Sequence, residues 1–98
     1  MENRFDISDF VNVLTIDKVR TDLVNRVRER RKEMKITQKE MAKRTSVSYG
    51  SIRRFELTGD ISLYGLLDIA RVLNCLSDFN ELFSKEIILD IRSQYEGK

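Results

Sequence analysis

Residues 37–59 read TQKEMAKRTSVSYGSIRRFELTG, and this stretch decides the fold because it resolves into two short helices joined by a tight turn. Thr37 is a helix cap whose hydroxyl can accept from a free backbone N–H, and Glu40 three residues later completes a capping box. Met41, Ala42 and Thr45 then point inward, with Ala42 small enough to let a second helix cross close by. Ser46 and Val47 make the turn. Ser48 caps the second helix, in which Ile52, Phe55 and Glu56 fall at i, i+3 and i+4 and mark the buried stripe. Tyr49, Gly50, Arg53, Arg54 and Leu57 are displaced from that stripe. Gly59 ends the helix, as glycine commonly does one residue past a helix terminus. Two such helices are too short to fold alone, but they suffice to present one helix end to a groove of DNA.

Working outward, an apolar stripe of helical period starts near Asp17, taken as its cap. It carries Val19, Leu23, Val24, Val27, Arg31 and Met34 on one side as far as Lys35. Arg31 stands where the stripe should be apolar. A buried arginine needs a partner, and the one acid on the inward side of the second motif helix is Glu56, so an Arg31–Glu56 ion pair is expected. Beyond Gly59, Ser62 caps a helix whose stripe of Leu63, Leu66, Leu67, Ile69, Ala70, Val72 and Leu73 is broad enough to predict near-complete enclosure. Ser77 and Asp78 open a short fifth helix with Phe79, Leu82 and Phe83 expected in the core. Residues 17–83 thus make one domain, flanked by an N-terminal extension, 1–16, and a C-terminal tail, 84–98. Both flanks carry spare apolar residues: FDISDFVNVL at 5–14 reads as a helix or a strand. In the tail, Ile87, Ile88, Ile91 and Tyr95 share a helical face; spare apolar surface at both ends points to a dimer interface, the alternative being packing on the same monomer.

Charge separates along the chain. Between Lys18 and Arg54 there are 13 Lys or Arg against 4 Asp or Glu, whereas the remaining residues hold 5 against 12. The cationic block coincides with the two-helix motif, so its field would draw in a polyanion rather than merely solvate a helix face. The absence of histidine and the single cysteine, Cys75, exclude an internal disulfide and a zinc site of Cys and His. Cys75 reads as a small apolar filler. No phosphate-cradling glycine loop and no carboxylate pair mark a catalytic pocket, so an enzyme and a bound cofactor or metal are not expected. No apolar run approaches the roughly 20 residues that cross a bilayer. The expected setting is cytoplasmic and reduced.

These residues carry a resemblance. TQKEMAKRTSVSYGSIRRFE, through Thr37-Gln38, Ala42, Val47, Ile52 and Glu56, resembles the helix-turn-helix of the Cro/C1-type (XRE) repressors over about residues 18–83. The resemblance implies an all-α, compact five-helix lambda-repressor-like domain that binds double-stranded DNA as a homodimer, with helix 48–57 in the major groove. By position it implies that Gln38 clamps a phosphate and that Ser48, Tyr49, Gly50 and Arg54 face the groove; it also makes Arg31 and Glu56 a structural pair. Physical reading agrees for Gln38, which sits where orphan N–H groups and the helix dipole favour an anion. It agrees for Arg54, which can hold guanine O6 and N7 bidentately. Tyr49 can lie against a thymine methyl or hold a phosphate. Ser51 can bond a phosphate or brace the turn, and Lys35, Lys39, Lys43, Arg44 and Arg53 are assigned to phosphates or long-range attraction. Gly50 departs from the family pattern, where a polar side chain often stands; either the backbone approaches DNA there or the position reads nothing. RRFELTGDISLYGLLDIARVLNCLSDFNELF is also similar to antitoxins encoded beside HipA-like kinase toxins. That similarity implies the alternative of a toxin-binding protein that autoregulates its operon.

Overall fold

A computed structural model of the chain describes residues 13–87. Among them, four α-helices, α1 (Ile16–Glu33), α2 (Gln38–Arg44), α3 (Tyr49–Thr58) and α4 (Leu63–Val72), are followed by a 3-10 helix, Leu76–Glu81, with no strand. The segment 5–14 and the tail 84–96 lie largely outside the described residues.

Each α-helix start is set by a hydroxyl. Thr37 Oγ1 accepts from Glu40 N at 3.0 Å, Ser48 Oγ from Ser51 N at 3.1 Å and Ser62 Oγ from Gly65 N at 3.0 Å. The start of α1 differs from expectation: Thr15, not Asp17, is the cap, accepting from Lys18 N at 3.0 Å. Thr15 has the extended backbone of a cap, while Asp17 lies inside the first turn. There its carboxylate pairs with Arg20 at 2.8 Å and meets the positive end of the helix dipole. The capping box at α2 is one-sided, because the Glu40 carboxylate binds Arg44 one turn on, at 2.7 Å, and a charged i,i+4 partner outcompetes a neutral amide.

The α1 helix also ends earlier than its pattern predicts. Lys35 adopts a left-handed backbone, φ 59°; its N–H donates to Lys32 O at 2.9 Å, and Ile36 N donates to Arg31 O at 3.1 Å. This pair of bonds is a Schellman stop, and it drives Ile36 into the core at 3% exposure. The same device closes α4, where Asn74 has φ 63°, Asn74 N donates to Arg71 O, and Cys75 N donates to Ala70 O.

The core is Val24, Ile36, Met41, Val47, Ile52, Phe55, Ile69 and Leu73, with Ala42, Leu66 and Cys75 half-buried against it. Every element from α1 to α4 contributes, so the turn between α2 and α3 is pinned by its own Val47 as well as by its helices. Gly65 makes this possible: a Cβ there would stand 3.2 Å from Val47 Cγ2 and 3.1 Å from Ser62 Oγ. Thr45 Oγ1 donates to Met41 O at 2.8 Å and accepts from Val47 N at 3.1 Å, and Asp68 on α4 accepts from Ser46 N at 2.7 Å. These bonds satisfy backbone groups the turn would otherwise leave open.

Three burial expectations are corrected. Val19 and Met34 are exposed rather than on the α1 core stripe, since Val19 borders an open groove beside α4 and the helix has already stopped at Met34. The α4 helix is not enclosed: Leu63 and Tyr64 are exposed and Leu66, Leu67 and Val72 half-buried. An open apolar groove of about 540 Å³ runs along its flank against α1, reaching Leu23, Val27, Leu66, Leu73 and Phe79. Finally, Leu82 and Phe83 are exposed and Phe79 only half-buried. The fifth element forms as a 3-10 helix with no side-chain cap, in which Leu76 and Phe79 share one edge; Leu82 lies just past its end in extended backbone, and Phe83 turns outward with φ 64°.

Candidate nucleic-acid interface

Burial of Ile52, Phe55 and Glu56 fixes which way α3 faces. At 3.6 residues per turn, the opposite ridge is then Gly50, Arg53, Arg54 and Leu57, all exposed. Leu57, 77% exposed, belongs to this ridge although the sequence reading assigned it no role. Its signal was the i, i+4 and i+3 spacing from Arg53 and Arg54.

The anchor of the ridge is Glu56. Arg31 Nε donates to Glu56 Oε2 at 2.7 Å and Arg31 Nη2 to Oε1 at 2.8 Å, a bidentate pair with side chains 9% and 4% exposed. Arg31 Nη1 also donates to Ile36 O at 2.9 Å, so the guanidinium ties α1, the α1–α2 turn and α3 together. Arg28 adds a bond from Nη2 to Glu56 O at 2.7 Å. Burial alone would raise the Glu56 carboxyl, but hydrogen bonds from Arg31 and Gln38 and the charges of Arg31 and Arg28 outweigh it and hold the group below its ordinary range.

Gln38 is half-buried, and its Nε2 donates to Glu56 Oε1 at 2.9 Å. The side chain expected on a phosphate is thus also a prop for the ion pair. Its place as the first residue of α2 keeps it among backbone N–H groups that have no intrahelical acceptor. Beside it, Lys39 Nζ lies 5.7 Å and Arg53 Cζ 5.8 Å from the centre of the Tyr49 ring. Both are within cation–π range, so one cation from α2 and one from α3 lie beside the exposed phenol ring.

On the other flank, Ser48 Oγ donates to Ser51 Oγ at 2.9 Å while accepting from Ser51 N. Both serines line an open cleft of mixed polarity with Val47, Arg54, Asp60, Ile61 and Tyr64. Arg54 Nη2 meets Asp60 Oδ2 at 3.2 Å, so Arg53 and Arg54 leave the ridge toward opposite sides of α3. Gly50 stands between them, and a Cβ built there meets nothing within 4 Å. The protein's own packing therefore does not require glycine. Lys43 and Lys35 are exposed, and Arg44 is paired with Glu40.

The arrangement offers donors and cations along one helix edge, an exposed aromatic face and a gap without a side chain. Among the described residues no group of three His, Cys, Asp or Glu could hold a metal ion, and no helix is long and apolar enough to cross a membrane. Residues 27–79, more than half of the chain, match the model of a family described as Helix-turn-helix. Comparison with curated proteins and with solved structures gives no match.

Proposed function

We propose, from the premise that the chain belongs to the Cro/C1-type helix-turn-helix family and so is a DNA-binding regulator, that it is a homodimeric repressor reading DNA through α3. The observation that carries this reading is the exposed ridge of Gly50, Arg53, Arg54 and Leu57, set opposite a buried ion pair that fixes its orientation. Arg54 reads a base edge, with Tyr49 as an apolar face and Gly50 as the point of closest backbone approach. Gln38, Ser48, Ser51, Lys39, Lys43 and Arg53 hold phosphates, which set register and most of the affinity. The apolar groove between α1 and α4 supports a second copy as partner, because no residue of α2 or α3 lines it and both recognition helices stay free. The protein acts in the cytoplasm, where its DNA is. The antitoxin alternative rests on the RRFE-to-LF string alone, and the family match adds no toxin partner.

Footprinting of the DNA upstream of the protein's own gene tests the reading. Two protected half-sites about 34 Å apart are expected, with affinity falling steeply as salt rises. Uniform binding without a protected sequence, or a single half-site at saturation, would contradict it. A reporter driven by that DNA should be silenced by the protein; stimulation would make it an activator.

A further inference from the structure

Arg54 and Asp60 are joined by more than a surface ion pair. Their side chains are 69% and 55% exposed, so the contact adds little to stability. The backbone around them, however, is built. Gly59 closes α3 in the left-handed conformation, φ 85°, with its N–H on Phe55 O at 2.7 Å. Thr58 Oγ1 donates to Arg54 O at 2.8 Å and accepts from Asp60 N at 3.1 Å. One hydroxyl therefore ties the peptide of Arg54 to that of Asp60. Asp60, with its short side chain, presents its carboxylate from this fixed point to Arg54 Nη2 at 3.2 Å.

An unrestrained arginine must lose its rotamer freedom when it binds a base, whereas a guanidinium already held by one N–H loses less. The carboxylate engages one N–H of Nη2 and leaves its second N–H, with the neighbouring nitrogen on that edge of the guanidinium, to donate. Two N–H groups are what guanine O6 and N7 require. We propose that Asp60 is a positioning residue that sets the base discrimination of Arg54, an inference that rests on Arg54 being a base reader. Asp60 carries a negative charge toward DNA, so it opposes general affinity while sharpening choice.

The test is selection of duplexes from a randomised pool by the full chain and by R54A, D60A and D60N, with melting midpoints as a folding control. R54A should flatten preference at one base pair of each half-site. D60A should lower discrimination at that same base pair about five-fold or more while strengthening binding to unrelated duplex. D60N, which keeps a carbonyl acceptor, should retain most of the discrimination. If R54A flattens a position and D60A leaves it at full strength, the positioning role is overturned and Asp60 contributes charge alone. If R54A flattens nothing, the base-reading assignment fails and the inference falls with it.

Discussion

Glu56 accepts two hydrogen bonds from Arg31, at 2.7 and 2.8 Å, from a guanidinium that is 9% exposed. A buried pair of this kind adds little over a well-packed apolar pair, yet breaking it leaves a charge stranded. Glu56→Ala is therefore expected to cost about 3–5 kcal/mol of unfolding free energy in urea titration. Simultaneous replacement of Arg31 and Glu56 by Met and Leu should recover much of that loss. A loss under about 1 kcal/mol for the single variant would show that the pair does not anchor α3.

The same pair sets a pH dependence. The Glu56 carboxyl is held below its ordinary value of 4.5, so the folded state binds its proton more weakly than the unfolded chain. The contribution is fully present above pH 4.5 and is lost as pH falls through the lower, folded value. Asp68, lowered by the Ser46 N–H and then by Arg71, acts in the same direction. Melting midpoints should stay level down to about pH 5 and then drop. Glu56→Gln should remove part of that drop, and an unchanged acid limb would contradict the assignment.

Gly50 separates stability from binding. A Cβ there meets nothing in the protein, and alanine favours helix over glycine by up to about 1 kcal/mol. Gly50→Ala should thus melt at the same temperature or higher while binding operator DNA more weakly. Unchanged affinity would place the DNA backbone farther from this point.

Thr15 and Asp17 give a local check on the start of α1. Thr15→Ala should cost about 1 kcal/mol through loss of the cap, and Asp17→Ala only a few tenths through the dipole. Thermal denaturation that reversed this order would restore Asp17 as the cap.

What could be read from the chain divides by range. Thr37, Ser48, Ser62 and Gly59 act on neighbours within a turn, so the sequence announces them. Arg31 and Glu56, each on an inward stripe, have each other as the nearest charge to neutralise. Thr15 and Asp17 are both competent caps two residues apart, and spacing does not choose between them. Lys35 stops α1 by adopting a conformation that its side chain does not advertise. Gln38 on Glu56 and Asp60 on Arg54 depend on how helices cross and on how one left-handed turn points, neither of which has a sequence period. The exposure of Leu82 and Phe83 follows from a 3-10 segment in place of an α-helix, a choice made by backbone geometry rather than by apolar count.

The proposed DNA surface is formed by α3 and the start of α2. Amide chemical-shift mapping of the full chain, titrated with the footprinted duplex at low and moderate salt, tests it most directly. Shifts are expected to concentrate at Gln38, Lys39 and Ser48–Arg54 and to fade as salt rises, leaving the groove between α1 and α4 unmoved. Shifts centred on Leu23, Val27, Leu66 and Leu73, with Tyr49–Arg54 silent, would contradict the account.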